Sequence, residues 1–429
     1  MTPEGQNMEG PALGLERVLE SENLRRAWRA VRSNRGAAGV DGMDIDQSAA
    51  HLRAHWPKIQ AKLLAGAYTP GAVRAATIPK ENGDSRILGI PNVIDRVIQQ
   101  AIHQTLSPAW EPEFSEHSHG FRPGRRASDA VDEAQGFIKE GKTYVVDIDL
   151  KGFFDQIHHD KLMGLIARKV RDKRLLKLIG RYLRAPLQHA DGSREKRMKG
   201  TPQGGPLSPL LANIYLHPLD MELERRGLSF VRYADDIAIF VNSQRAAERV
   251  LENVVAWIEK NLKVPVNREK SGAGPSGHSA LLGFRLYEDG RVGVSPRAIE
   301  KMKSQVRKIW DANHGRRDEE QRQRWRRYID GWWNYFHRAQ WRREVTDLSG
   351  WIRRHIRKYY WQRWKTPRGR LNALRRLGVG PRALGNAYCR RGAWAMSRHV
   401  TVQQALKSRW INQQGLGLPW EPSNARSMA

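Results

Sequence analysis

Three aspartates of this sequence stand where strand-like segments end or turn. Asp149 lies near the end of the run YVVDIDL, and Asp235 and Asp236 divide the apolar run FVRYADDIAIFV. Taken alone, paired aspartates in a hairpin are ordinary turn residues. Side chains alternate along a strand, so Asp147 and Asp149 point the same way. If their strand pairs beside the one that ends at Tyr233, three carboxylates converge.

Convergent carboxylates repel one another strongly unless a cation lies between them. Mg²⁺ suits an incomplete set of oxygen ligands, because it also accepts phosphate oxygens and water. Two such ions stabilise the attacking and the leaving oxygens of a phosphoryl transfer. Acidic residues gathered at one point of a basic chain therefore indicate a nucleic-acid enzyme with a metal centre.

The charge of the chain indicates a polyanionic partner. Its 429 residues carry a formal net charge of +29, with a pI of about 10.6. Residues 295–429 hold 31 Lys and Arg against 9 Asp and Glu, and 11 of the 15 tryptophans lie beyond residue 300. Arginine binds phosphate and stacks on bases. Nucleic acid therefore fits this segment better than a membrane surface does.

Composition also excludes several classes of protein. No apolar run approaches the ~20 residues of a membrane span, and the N-terminus lacks the features of a secretory signal. Cys389 is the single cysteine, which excludes disulfides within the chain and a multi-cysteine zinc site. We expect a cytoplasmic protein.

The order of predicted elements favours an α+β fold with an antiparallel sheet covered by helices. Two strands around a turn at 81–84 predict a hairpin. Ser295 and Pro296 predict the start of an almost entirely helical part, in which Pro367 and Gly369 mark a break. The predicted parts are a flexible tail (1–14), an N-terminal extension (15–70), a sheet-bearing part (71–290), a helical part (291–375) and a small basic region (376–429).

Several motifs of this chain resemble those of a known family. YADD resembles the [Y/F]xDD motif of reverse transcriptases, and YVVDIDLKGFFDQIHH resembles their first catalytic-aspartate motif. Bacterial group II intron-encoded proteins have segments similar to IPKENGDSRILGIPNVIDRVIQQAI, FSEHSHGFRPGRRASDAV, TPQGGPLSPLLANIYL, LKVPVNREKSG and LLGFRLY. Their maturase region, or domain X, resembles YIDGWWNYFHRA and WIRRHIRKYYWQRWK. The resemblance covers about residues 15–375.

The resemblance implies a right-hand polymerase, with fingers and palm over 71–290 and a thumb, or domain X, over 291–375. It implies an RNA-directed DNA polymerase that makes cDNA by two-metal nucleotidyl transfer, and a maturase that binds group II intron RNA and assists splicing and retromobility. The implied cofactors are two Mg²⁺ ions, for which Mn²⁺ is a substitute. The implied partners are an RNA template, a DNA primer or target, and dNTPs. We further expect a form without the C-terminal HNH endonuclease, whose region 376–429 binds DNA.

The motifs also imply roles for individual residues. Asp149, Asp235 and Asp236 are the implied catalytic metal ligands, with the carbonyl of Leu150 as a further ligand. The implied dNTP contacts are Lys80 and Arg86 at the triphosphate, Phe154 as a gate against a 2′-hydroxyl, Gln203 at the sugar-phosphate, and Lys270 as the acid that protonates pyrophosphate. The implied nucleic-acid contacts are Arg122, Arg125, Arg126, Arg324 and Arg327.

Simpler interpretations stay open for some of these residues. Phe154 is equally compatible with packing at a strand–helix junction, and Lys80, Arg86 and Lys270 with solvated surface charge. The whole protein also has alternatives, a host-adopted reverse transcriptase in DNA repair or phage defence, or an RNA-binding splicing factor with little polymerase use. Clustered carboxylates argue against a pure RNA binder. The oligomeric state, monomer or dimer, stays open.

Overall fold

The computed structural model describes residues 13–79, 85–312, 315, 317–340 and 343–421, with the backbone alone for 343–346. Its internal contacts divide the chain into two units, Met1–Pro275 and Ser276–Ala429. Among the described residues, no helix combines the length and the apolar character that a membrane span requires.

The first unit contains both helices and strands. Its helices are α1 (Leu15–Val18), α2 (Ser21–Ser33), α3 (Ile45–Leu64), α4 (Val93–Trp110), α5 (Ala127–Lys139), α6 (Phe153–Gln156), α7 (His159–Ala167), α8 (Lys173–Arg184), α9 (Ser208–Arg225) and α10 (Gln244–Trp257). Its strands are β1 (Val73–Pro79), β2 (Ser85–Ile90), β3 (Tyr144–Asp149), β4 (Leu187–Gln188), β5 (Arg194–Glu195), β6 (Ser229–Tyr233), β7 (Asp236–Val241) and β8 (Gly272–Pro275).

An antiparallel sheet of four strands, in the order β6-β7-β3-β8, forms the centre of this unit. In β7 only Asp236 is exposed, and the residues of 237–241 are all buried. Such continuous burial occurs when both faces of a strand are covered. Helix α10 contacts β3 and β8, and α5 contacts β6. The predicted α+β class, with an antiparallel sheet covered by helices, is confirmed.

A second sheet of the first unit contains the predicted hairpin. β1 and β2 pair antiparallel from Arg74 opposite Ile90 to Pro79 opposite Ser85. The predicted turn at 81–84 lies outside the described residues. β1 also pairs parallel with β4, which extends the sheet to the order β2-β1-β4-β5.

The second unit is mostly helical around a tryptophan-rich core. Its strands are β9 (Ala280–Leu281), β10 (Phe284–Leu286) and β11 (Val292–Val294), and its helices are α11 (Pro296–Ile309), α12 (Asp318–Phe336), α13 (Arg343–Arg363), α14 (Pro367–Arg376), α15 (Pro381–Leu384), α16 (Ala393–Met396), α17 (Val400–Ala405) and α18 (Ser408–Gln413). Trp310, Trp325 and Trp361 are fully buried in its core. As predicted, Ser295 caps α11, with its Oγ 3.2 Å from the backbone nitrogen of Ala298.

The predicted break is present at Pro367, because α13 ends at Arg363 and α14 begins at Pro367, with Thr366 as its cap. Gly369 lies within the first turn of α14. The structure differs from the expected boundaries at two other places. Residues beyond 376, such as Leu406 and Leu418, share one core with Trp361. The contacts also change units at Pro275, before the predicted boundary at 290.

Candidate active site

The register of the central sheet brings the predicted carboxylates together. Asp149, the last residue of β3, lies directly opposite Asp236, the first residue of β7. Asp235 lies in the two-residue loop between β6 and β7. The carboxylates converge although β3 does not pair with the strand that ends at Tyr233. β7 lies between them, because its apolar residues fill the centre of the sheet.

The loop that carries Asp235 has an unusual backbone. Ala234 adopts a φ of 60°, in the left-handed region that costs a non-glycine residue about 1–2 kcal/mol. A two-residue hairpin loop requires such a conformation. The guanidinium of Arg232 stabilises the loop, because its Nη1 donates a hydrogen bond to the Ala234 carbonyl at 2.9 Å.

Arg232 is itself held in the interior by a network of polar side chains. Its Nε and Nη2 donate to the two carboxylate oxygens of Asp220 at 2.6 and 2.5 Å. Both side chains are 0% exposed. Nη1 also donates to Asn213 at 3.0 Å, and Asn213 donates to the Gly120 carbonyl at 2.9 Å. The loop that carries Asp235 (the aspartate loop) is therefore stabilised by a buried ion pair, whose aspartate, Asp220, lies on α9.

Gly120 packs directly against the same loop. A Cβ atom at this position would lie 2.2 Å from the backbone nitrogen of Ala234, which no real contact allows. Only glycine permits this close approach. The segment FRPG, which follows Gly120, is thereby placed next to the aspartates.

The electrostatics of the site favour a bound cation. Desolvation, followed by the charges of Asp235, Asp149 and Asp147, raises the pKa of Asp236 to about 6, although the residue keeps contact with solvent. Burial also raises the pKa of Asp235, and the charge of Asp149 adds to this effect. The ammonium of Lys270 lies 3.7 Å from a carboxylate oxygen of Asp149.

The donor set fits a magnesium ion that takes part of its ligands from a substrate. Among the described residues, no group of three or more His, Cys, Asp or Glu side chains is arranged to hold a metal ion, so a bound ion would need further ligands from the backbone, water or a substrate. The backbone bonds that flank Leu150 use the carbonyl of Asp149 and the NH of Lys151, so they leave the Leu150 carbonyl available. Such an incomplete oxygen shell suits Mg²⁺, which keeps water and phosphate ligands.

A cavity of about 530 Å³ brings together three of the predicted dNTP contacts, Arg86, Phe154 and Gln203. Phe154 is 9% exposed and meets the ring of Phe121 edge-on at 6.3 Å between centroids. Arg96 also lines the cavity, but sequence reasoning did not find it.

Gln203 links two charged neighbours of this cavity. Nε of Arg86 donates to its amide oxygen at 2.5 Å, and its amide nitrogen donates to Asp155 at 3.3 Å. A dNTP that binds through Gln203 and Arg86 would replace these contacts. The other fingers cation, Lys80, lies outside the described residues.

The arginines predicted to contact nucleic acid have different environments. Arg122 is buried and bonded to Glu111 and to the carbonyls of Ser115 and Ser118, which differs from the surface position that such a contact requires. Its guanidinium group donates hydrogen bonds to acceptors in the interior instead. Arg125 pairs with Glu116.

The three remaining arginines lie in both units. Arg126, in the first unit, is exposed. Arg324 and Arg327 lie on α12 of the second unit, where Arg324 is half-buried and Arg327 is exposed.

Comparisons with known proteins agree with these two parts of the chain. The family described as "Reverse transcriptase (RNA-dependent DNA polymerase)" matches residues 78–286, and "Group II intron, maturase-specific domain" matches residues 299–378. Protein YkfC of Escherichia coli (strain K12) is 32% identical over 306 residues, which cover 61% of this chain and 80% of YkfC. The chain belongs to the group II intron family of reverse transcriptases.

Another relative matches less of its own length. The group II intron-encoded protein LtrA of Lactococcus lactis subsp. cremoris is 39% identical over 246 residues, which cover 57% of this reverse transcriptase and 40% of LtrA. Among solved structures, a chain of the partial Cas6-RT-Cas1–Cas2 complex gives a TM-score of 0.37 at 23% identity, over 56% of this chain and 42% of that one. We draw no conclusion from so low a score.

Membership in the family confirms the predicted enzyme class. This reverse transcriptase is an RNA-directed DNA polymerase with a group II intron maturase domain. The predicted family, enzyme class and right-hand polymerase fold are therefore confirmed.

The residues that support the aspartate loop were missed by sequence reasoning. Arg232 carried a signal, since a charge inside an apolar strand requires a buried partner. Asp220 and Asn213 carried none, because they lie on a helix whose sequence does not show which polar residues face inward. The signal for Gly120 was equally absent.

Proposed function

We propose that this reverse transcriptase joins a primer 3′-hydroxyl to a dNTP at Asp149, Asp235 and Asp236, with RNA as the template. The observation that carries the proposal is the register that sets Asp149 opposite Asp236, with Asp235 in the adjoining loop. The cavity lined by Arg86, Phe154 and Gln203 supports it.

In the proposed reaction, the primer O3′ forms a bond to the α-phosphorus of the dNTP. The bond from that phosphorus to the bridging oxygen of pyrophosphate breaks, and the hydroxyl proton passes to solvent water. The three aspartates and the Leu150 carbonyl would hold two Mg²⁺ ions, which stabilise the charge on the attacking and leaving oxygens when bound. Lys270 would donate a proton to the leaving pyrophosphate.

The cavity residues would bind and select the nucleotide. Arg86 carries the charge that pairs with a triphosphate. Gln203 has an amide that can bond to the sugar-phosphate once it releases Arg86 and Asp155. The ring of Phe154 would exclude a 2′-hydroxyl, which selects dNTPs over rNTPs.

The second unit would bind intron RNA as a maturase. Support comes from the net charge of +22 over residues 295–429 and from the maturase match over residues 299–378. We assign the thumb to 291–375, where exposed Arg327 is placed to contact phosphate. Region 376–429 is proposed to contact target DNA.

Extension of a DNA primer on an RNA template with Mg²⁺ and dNTPs tests the catalytic proposal. Asp235→Asn should remove synthesis, whereas Asp160→Asn, an exposed aspartate of the same unit, should leave it unchanged. Synthesis that needs no divalent ion, or that survives Asp235→Asn, would contradict the assignment.

Binding and splicing of the native intron RNA test the maturase proposal. The chain should bind this RNA more tightly than an unrelated duplex at equal salt, and it should accelerate splicing. Equal affinity for both RNAs, with no effect on splicing, would contradict the proposal.

A further inference from the structure

A separate cavity of about 380 Å³ lies within the unit Ser276–Ala429. Its wall includes three aromatic rings, two arginines and one carboxylate, namely Tyr360, Trp364, Trp410, Arg363, Arg376 and Asp318. Five of these residues come from four helices: Asp318 lies on α12, Tyr360 and Arg363 lie on α13, Arg376 lies on α14, and Trp410 lies on α18. Its volume is in the range of sites for small organic ligands.

Tyr360 places an unsatisfied polar group at this cavity. The residue is only 9% exposed, and its hydroxyl has no hydrogen-bond partner among the residues that the structure describes. Burial, followed by the charge of Asp318, raises the pKa of Tyr360 well above its ordinary value, so the hydroxyl keeps its proton. The hydroxyl is not fully enclosed, so it can donate a hydrogen bond to a ligand in the cavity.

The aromatic rings offer surfaces for a planar group. The rings of Tyr360 and Trp410 meet edge-on with centroids 5.2 Å apart, and Trp364 provides a third ring on the cavity wall. Trp364 and Trp410 are only partly buried. Aromatic side chains that remain accessible in a basic protein are the usual stacking partners of unpaired bases.

The charged groups around the cavity favour a nucleotide over a free anion. Nη1 of Arg363 donates to Asp318 at 2.6 Å and to the Tyr359 hydroxyl at 2.9 Å, which leaves its other nitrogens for a ligand. Arg376 is exposed and forms no ion pair with a described residue. Guanidinium groups bind phosphate, but Asp318 repels a second anion. A nucleotide suits both the arginines and Asp318, because its phosphate is charged and its base is not.

We propose that this cavity binds one unpaired nucleotide of a single-stranded nucleic acid. The base would lie among Tyr360, Trp364 and Trp410, and the phosphate would contact Arg363 and Arg376. The proposal rests on the proposed nucleic-acid binding by the second unit and names a site for it. RNA and DNA share the chemistry that the cavity recognises, and the experiment distinguishes them.

Fluorescence anisotropy of the full chain tests this site. The probes are a twelve-nucleotide oligoadenylate as RNA, the same sequence as DNA, and the RNA paired with its complement, all at one salt concentration. Tyr360→Phe removes only the unpaired hydroxyl, and Arg376→Ala removes one exposed charge. Arg375→Ala is the matched control, since it removes an exposed charge from the same helix outside the cavity.

Tyr360→Phe and Arg376→Ala should each weaken single-strand binding about fivefold. Arg375→Ala should weaken it less than about twofold, and duplex binding should be the same for wild type and Tyr360→Phe. Tighter binding of the RNA probe would assign the site to RNA, and tighter binding of the DNA probe to a DNA strand. Either result supports the site.

Two results would overturn the proposal. Equal losses for Arg376→Ala and Arg375→Ala would show a diffuse basic surface, and unchanged single-strand binding by Tyr360→Phe would show that the hydroxyl meets no ligand. Primer extension by the same proteins separates this outcome from failure of the catalytic proposal, because the cavity contains none of the catalytic aspartates.

Discussion

Asp149 and Asp236 lie directly opposite each other on the adjacent antiparallel strands β3 and β7. The Cβ atoms of such a pair are about 5 Å apart, and Asp235 in the adjoining loop adds a third negative charge. Like charges at this range favour protonation or a bound cation. Desolvation, followed by these like charges, raises the pKa of Asp236 to about 6.

We expect the same register to separate the two aspartates of β3 by function. Asp149→Asn should reduce primer extension at least about a hundredfold, because several kcal/mol of charge stabilisation are lost. Asp147 lies opposite Ala238, so Asp147→Asn should cost less than about tenfold. Single-turnover extension at saturating dNTP measures both. Equal losses would mean that the motif position was assigned to the wrong aspartate.

Gly120→Ala should disturb the aspartate loop from outside the loop. Its new Cβ would overlap the backbone nitrogen of Ala234, so the loop must shift and extension should fall at least about tenfold. Gly136→Ala is the control, because nothing lies within 4 Å of its added Cβ and alanine favours the α5 helix. Full activity of Gly120→Ala with unchanged Tm would contradict the close packing.

The buried ion pair below the loop should contribute to stability far more than an exposed pair. Asp220→Asn leaves the Arg232 charge uncompensated in the interior and should lower the free energy of unfolding by about 3–5 kcal/mol. Arg225→Ala removes an exposed cation from the same helix, and its partner Glu222 keeps its pair with Arg226, so this change should cost less than about 1 kcal/mol. Urea unfolding compares the two, and similar costs would argue against a buried charge at Arg232.

Phe154→Ala should admit ribonucleotides to the cavity. The measurement is the ratio of rNTP to dNTP incorporation on one template, which should rise at least about tenfold. Phe153→Leu is the control, since Phe153 is 1% exposed and does not line the cavity. It should lower stability without changing sugar selectivity. An unchanged ratio for Phe154→Ala would leave this ring a packing residue.

The stability of the first unit should depend on pH through Asp95. Burial raises the pKa of this carboxyl to about 6, although hydrogen bonds from Tyr68, Gly71 and Tyr182 act to lower this pKa. The folded protein therefore holds the proton at higher pH than the unfolded chain, and the stabilisation by this proton is greatest below a pH of about 4 and is lost as the pH rises to about 6.

Asp95→Asn does not titrate, so it provides the reference for that effect. The stability of wild type minus that of the variant should fall by up to about 1.4 kcal/mol per pH unit over this window and stay constant above it. Urea unfolding of both proteins from pH 4.5 to 7.5 measures the difference. A constant difference over this range would show that Asp95 is ionised at the lowest pH.

Much of the site could be predicted because its residues are local in sequence. The two strands around Asp235 and Asp236, the β1–β2 hairpin and the start of α11 at Ser295 depend on near neighbours, and all were found. The neighbour of β3 could not be predicted, because pairing depends on which strand buries both faces. Alternation along a strand does not contain that information.

The sequence by itself determined which aspartates are the candidates for catalysis, the order of the elements and the basic character of the second unit. Residue type and spacing along the chain are sufficient for these. Only the tertiary structure decided that β7 lies between β6 and β3, that Arg232 and Asp220 form a buried pair beneath the loop, and that Arg122 serves the interior. Each depends on contacts between distant residues, where burial makes polar groups pair in ways that spacing cannot show.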